Sequence, residues 1–332
     1  MSNKINYDIF DLTKLILSLM VVAIHTNLFP MLYPWLRIAV PMFFIISSFL
    51  LSEKIKKDGD KKSILKNYTI RLLKLYTFWF VILLPVTIII RHNWFDEGII
   101  KGCFIVIKNI FFGSTFSGSW YLTATIFGTL VVYNISDNKI NRKILLCIFV
   151  LFYIFCCIAS SYSFIIKSNL ALNILKTIQP QFTFLTSLIF IYIGKLYSEK
   201  DNKLRIKNNI IGTIIFAVLL FLEWKIIYKV SNNFDKDCYI FIMPLAYYLF
   251  GTIKLIKINV SNSKTIRNFS SFIYPFHISL IPIIKFAFSN VLNIEINNMI
   301  LYIITVLVSL ITFFIVEKLE KNKKFKLLKY SH

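Results

Sequence analysis

Residues 11–26 read Asp11-Leu12-Thr13-Lys14-Leu15-Ile16-Leu17-Ser18-Leu19-Met20-Val21-Val22-Ala23-Ile24-His25-Thr26. Between Lys14 and His25 no residue carries a charge. About 20 such residues, each rising about 1.5 Å, match a hydrocarbon core of about 30 Å. Lipid offers no hydrogen-bond partners, so a backbone that crosses it is a helix or part of a closed barrel. The apolar residues here are continuous and lack the alternation of a barrel strand. The stretch therefore reads as a transmembrane helix.

The rest of the chain repeats the pattern. Apolar segments fall near 10–29, 36–52, 70–90, 99–112, 119–135, 144–165, 182–198, 209–229, 239–256, 270–291 and 298–317. The fourth is short and carries Lys101 and Lys108, so it reads as an interfacial or re-entrant helix. The expectation is an all-α polytopic membrane protein of about ten spans plus that short helix, forming one membrane domain over 1–332. Composition agrees: 57% of the 332 residues are hydrophobic, 33 are Phe, and only 16% are charged. Globular domains run about 45–50% apolar and about 25% charged. A soluble enzyme is excluded.

Charge sets the expected orientation. Segments 1–8, 53–74, 137–143, 199–207, 254–267 and 318–332 hold 26 of the 38 Lys and Arg. The opposite loops hold about 10, so the positive-inside rule puts both termini in the cytoplasm. The net charge of +22 is spread over these loops. It reads as topology and as attraction for anionic lipid headgroups and anionic cofactors, with no nucleic acid implied.

Several chemistries lose their support. The five cysteines (Cys103, Cys147, Cys156, Cys157 and Cys238) form no C-x-x-C. They imply neither a disulfide framework nor a metal site. Cys147, Cys156 and Cys157 read as packing residues. There is no Walker motif, no dinucleotide fingerprint and no H-E-x-x-H. The first apolar run has no small-residue cleavage site after it, so a cleaved signal peptide is not expected.

Ionisable groups inside apolar spans are costly and become functional candidates. Lys14 and His25 are 11 residues apart, about 20° short of or beyond three full helical turns, so they share a face about 16 Å apart. His25 is either a functional imidazole or a neutral ring bonded to a neighbouring helix. Lys14 is either a functional cation or a snorkelling anchor. Arg37 opens the second span at its outer interface, and Pro41 loosens that helix. Trp120 and Tyr121 fit either a pocket or an aromatic belt. Glu223 is an acid in an apolar span, able to pair with a cation or take up a proton. Tyr274 and His277 share a helix face at i, i+3.

Together these residues resemble the acyltransferase-3 family of bacterial multi-pass membrane proteins. The resemblance rests on Lys14 and His25 after Asp11, and on Arg37-x-x-Val40-Pro41-x-Phe43-Phe44-x-x-Ser47. It continues through the basic stretch ending Arg71-Leu72-Leu73-Lys74, then Trp120-Tyr121-Leu122, then Tyr274-x-x-His277. Their order covers most of the chain. Two positions depart: Lys14 stands where the best-known form has Arg, losing the planar fork that grips phosphate, and Ser48 stands where the family usually has Gly.

The resemblance implies an O-acyltransferase in the bacterial cytoplasmic membrane. It would move an acyl group, acetyl by default, from cytoplasmic acyl-CoA to a hydroxyl of a cell-surface glycan or lipid-linked sugar. No metal is implied. Lys14, Arg71 and Lys74 would form a basic mouth for the CoA phosphates. His25 would be the general base or a covalent acyl relay. Arg37, Trp120, Tyr121, Glu223, Tyr274 and His277 would serve the substrates. Similar membrane domains also precede serine racemase domains, where L-serine transport is the implied role. That leaves a solute transporter as the alternative.

Overall fold

The computed structural model describes residues 7–90, 92–96, 98–116, 118–135, 141–199, 206–231 and 236–332. Parts of the basic segments 1–8, 137–143 and 199–207, and Ser117, lie outside the described residues. No strand occurs among those described. The helices are α1 (Tyr7–His25), a single turn α2 (Tyr33–Leu36), α3 (Ala39–Asp58), α4 (Lys61–Ile90), α5 (Ile99–Phe112) and α6 (Trp120–Ile135). There follow α7 (Arg142–Ala159), α8 (Asn169–Ile178), α9 (Phe184–Glu199), α10 (Ile206–Ser231), α11 (Ile242–Leu255), α12 (Ser263–Phe286) and α13 (Asn298–Glu320).

Among the described residues, seven helical stretches are long and apolar enough to cross a membrane. The gap from the expected ten has a physical cause. α1 carries Asp8, Asp11 and Lys14, and α6 and α11 have only 16 and 14 residues. At about 1.5 Å per residue, α11 falls short of a core about 30 Å thick. α4 starts nine residues before the apolar segment expected at 70, because its Lys-rich beginning also favours helix.

Local chemistry ends the helices where the sequence supplies it. Asn141 and Asn297 cap α7 and α13 by accepting from the N–H of Lys143 (2.9 Å) and of Met299 (2.8 Å). Gly59, at φ 78°, closes α3 with its N–H on Ile55 O.

The stretch Pro30–Asp58, which holds α2 and α3, is 67% buried over its most apolar part, against 17% for α4 and 22% for α13. α3 packs closely on α9. The Ser48 hydroxyl donates to Ile191 O at 2.7 Å. A Cβ on Gly194 would stand 2.4 Å from Ile45 O and 2.9 Å from Ser48 Cβ. The small residue that permits this approach is therefore on α9, and Ser48 is accommodated opposite it. Peripheral helices turn apolar side chains outward, including Val81, Ile88 and Ile89 of α4 and Ile214, Val218 and Leu222 of α10. Such a continuous apolar exterior suits lipid. Cys156, Cys157 and Cys238 are packed inside, whereas Cys147 lies on the outer face of α7.

Cross-contacts fix two ends of the bundle. Lys61 Nζ donates to Tyr133 O, Glu53 accepts from Ser198, and Arg142 pairs with Glu199 at 3.3 Å. Asp11 meets Arg267 at this same end, at 3.7 Å. At the other end Asn298 donates to Asn27 O, and Arg37 pairs with Asp237.

Candidate functional site

A cavity of 690 Å³ opens at the end where α1 begins. Lys14 of α1, Lys54 of α3, Arg71 of α4 and Arg267 of α12 line it, with Asp11 the one side-chain carboxylate among its described lining residues. Asp11 is buried, and its Oδ2 lies 3.7 Å from Arg267 Nη1. Four cations against one carboxylate make a strongly positive chamber. The Arg71 guanidinium lies over the Tyr68 ring at 5.7 Å, which orients it while leaving its donors usable. His332 also lines this cavity. Burial holds its imidazole below the ordinary value.

A second cavity, of 720 Å³, opens at the opposite end. His25, at the last position of α1, lines it and is accessible there. Arg37 lines it too, 3.1 Å from Asp237 and over the Tyr33 ring at 5.7 Å. Lys14 and His25, expected on one face of α1, thus line one cavity each.

An aromatic septum separates the two spaces. Phe43 and Tyr121 line the first cavity, Phe44 and Trp120 the second, and Tyr274 lines both. Tyr121 and Tyr274 have ring centroids 5.1 Å apart. Phe43 stands 5.9 Å from Tyr274, and Phe44 5.0 Å from Tyr121. These edge and tilted contacts are favourable for aromatic rings. The Tyr274 hydroxyl donates to Gly118 O at 3.4 Å. Gly118 has φ 78°, a conformation that favours glycine, and a Cβ there would displace the end of the Ile278 side chain.

Behind the septum His277 is fully buried, its ring centroid 5.4 Å from that of His25. Its Nδ1 lies 2.7 Å from Ile273 O. A carbonyl only accepts, so the proton sits on Nδ1 and Nε2 keeps its lone pair. That Nε2 is buried with no hydrogen-bond partner in the structure. Pro275, within the same turn, has no N–H to give to Ser271 O.

Two expected residues lie elsewhere. Lys74 is exposed over the Tyr330 ring at 5.1 Å and lines neither cavity. Glu223 is buried away from both and accepts from Tyr162 Oη, Ile240 N and Phe241 N at 2.5, 2.6 and 3.0 Å. It binds the segment leading into α11. Conversely, Arg267, Lys54, Tyr68 and Asp237 were not singled out from the sequence. Arg267 stood there as one more basic loop residue, and nothing local told it apart from Lys264.

A family model described as an acyltransferase domain, acyltransferase 3, matches residues 7–318. An amino-acid racemase of Enterococcus faecalis is 27% identical over 270 residues, covering 76% of this chain and 36% of that protein. A second amino-acid racemase of the same organism is 27% identical over 133 residues, 37% of this chain and 18% of that protein. The chain spans about a third or less of the length of these relatives. No solved structure matches.

Proposed function

The chain belongs to the acyltransferase-3 family and is a multi-pass membrane acyltransferase, and we propose that it carries an acyl group from cytoplasmic acyl-CoA to a glycan hydroxyl on the far side of the bacterial cell membrane. The observation that carries this reading is the pair of cavities meeting at Tyr274, one basic and one holding His25.

The basic cavity is the donor site. Lys14, Lys54, Arg71 and Arg267 bind the CoA phosphates, each contact a charge-assisted hydrogen bond. The placement of positive charge at that end of the bundle supports its being the cytoplasmic one. The acyl-pantetheine arm runs along α1 toward the septum, where Phe43, Tyr121 and Tyr274 exclude water from the thioester.

The acceptor enters the second cavity. His25 takes the proton from the attacking hydroxyl as the oxygen bonds to the thioester carbonyl carbon. The tetrahedral intermediate collapses by breaking the C–S bond, and the imidazolium returns its proton to the departing thiolate. Products are the acyl ester and free CoA. His277, with its proton fixed on Nδ1, keeps an unprotonated nitrogen on the side away from Ile273 O and steadies the His25 ring.

The racemase relatives leave room for solute transport, but the match covers 36% of the longer protein and is distant. A cation-lined chamber is also a poor path for a zwitterion, whose two charges cancel. The test is purified protein in lipid vesicles given acetyl-CoA and envelope glycan. Acceptor-stimulated release of CoA thiol, lost in His25→Ala protein that retains its thermal stability, supports acyl transfer. Serine uptake without acyl-CoA, and no thiol release, overturns it.

A further inference from the structure

The second cavity is ringed at its mouth by two elements that do not belong to the long bundle, α5 and α8. α5 contributes Lys108 and Asn109, and the end of α8 contributes Lys176 and Gln179. Arg37 is matched by Asp237 at 3.1 Å. Lys108 and Lys176 have no carboxylate within ion-pair distance among the described residues. Lys108 instead donates to Thr177 O, which ties α5 to the end of α8 and brings the two ammonium groups to one rim. Among the described residues, these two ammonium groups thus stand without an ion-pair partner beside a chamber that also holds His25.

The same cavity is lined by groups that read sugars. Gln179 ends α8 at φ 52°, ψ 61°, a conformation a side-chain-bearing residue adopts rarely. Asn27, at φ 53°, is a second amide-bearing residue in that region of backbone space, and it too lines the cavity. Amides both donate and accept, as a polyol requires. Trp94 and Trp120 supply flat apolar faces with one polar edge each, suited to the C–H face of a pyranose. Amides and indoles alone describe a neutral saccharide site. The two lysines add a requirement that a neutral saccharide does not satisfy.

We propose that the acceptor is an anionic saccharide, whose phosphate or carboxylate group docks on Lys108 and Lys176 while the hydroxyl to be acylated reaches His25. This rests on the acyl-transfer reading for its chemistry, but the binding it describes is measurable alone. Electrostatic capture at the rim raises the local concentration of such a polymer and fixes which hydroxyl faces the base.

The experiment measures binding of three oligosaccharides to the full-length protein in neutral-lipid nanodiscs by tryptophan fluorescence: a neutral maltooligosaccharide, an oligogalacturonate and a polyol-phosphate oligomer. Acceptor-stimulated CoA release is followed in parallel. Wild type should bind at least one anionic oligomer about tenfold more tightly than the neutral one, a preference that weakens with salt. The double variant Lys108→Gln, Lys176→Gln should bring anionic and neutral oligomers to the same level, and the Lys108→Arg, Lys176→Arg pair should restore the gap. Which anion is preferred separates phosphate from carboxylate. Equal binding of all three by wild type, or a preference that survives the glutamine pair, overturns the proposal. The titration is repeated in nanodiscs containing anionic lipid, and a preference abolished there also overturns the proposal, because the lysines then serve headgroups. Anionic preference in binding with no CoA release from any of the three oligomers leaves the anionic-saccharide site standing and counts against its being the acceptor site of acyl transfer.

Discussion

His25 and His277 stand with ring centroids 5.4 Å apart and planes tilted by 45°, on helices α1 and α12 that run side by side. One ring opens into a cavity and the other is sealed from solvent. The sealed ring has its tautomer set by Ile273 O, at 2.7 Å. The pair thus combines an accessible imidazole with a fixed one behind it.

Replacing His277 by Gln keeps a polar group but removes the ring that faces His25. The turnover number should fall by about tenfold or more, about 1.4 kcal/mol or more in the barrier. The acyl-CoA KM should stay within about twofold, because the donor cavity is not touched. Steady-state kinetics on the vesicle-reconstituted protein check the split. A rise in KM with unchanged turnover would assign His277 to donor binding instead.

The donor cavity makes a charge prediction. Lys14→Gln and Arg267→Gln should each raise the acyl-CoA KM by about tenfold, the worth of one charge-assisted hydrogen bond. A short thioester donor lacking the nucleotide should not feel either change. Lys74→Gln should leave KM within about twofold, since Lys74 lies over Tyr330 outside the cavity. Parallel titrations with acetyl-CoA and the truncated thioester read both effects. Lys14→Arg should bind at least as tightly as wild type, because the guanidinium grips phosphate with two prongs.

The septum should keep water from the thioester. Tyr274→Ala removes the one ring that lines both cavities. Acyl-CoA hydrolysis without acceptor should rise relative to transfer by about threefold or more, or about 0.6 kcal/mol in relative barriers. The ratio of free acetate to acylated product measures it. An unchanged ratio would mean that the septum is not where the thioester rests.

Two stability predictions probe the frame. Glu223→Ala strands Ile240 N and Phe241 N, along with the Tyr162 hydroxyl. The cost should be about 3 kcal/mol, seen as a lower thermal midpoint in detergent. Gly194→Leu forces α9 from α3, because even a Cβ would approach Ile45 O to 2.4 Å. It should abolish well-folded protein on size-exclusion chromatography, whereas Glu223→Gln should fold and lose less than Glu223→Ala.

What could be read in the sequence follows from the range of the forces involved. Apolar runs are local, so the long helices were legible, as was the short α5 with its Lys101 and Lys108, whereas the ten-residue α8 fell between two expected segments and was missed. Lys14 and His25 were legible because helical geometry alone puts them on one face. The partners of Asp11 were not, since Arg267 is 256 residues away and became special only when α12 packed on α1. Lys74 shows the reverse error: it shares a basic run with Arg71, but three residues on α4 turn it toward Tyr330. Glu223 looked exposed to function because a buried acid is expensive. Its cost is offset by two backbone N–H groups and a phenol that no local pattern announces.

The most direct test of the account supplies donor and acceptor from opposite faces. Sealed inside-out and right-side-out membrane vesicles receive radiolabelled acetyl-CoA in the outer medium, and label is followed into the glycan fraction. Label should enter glycan only in inside-out vesicles, where the Lys14 cavity faces the medium, and should vanish in His25→Ala. Equal labelling in both orientations, or labelling that persists without His25, would contradict a donor chamber and an acceptor chamber joined at the septum.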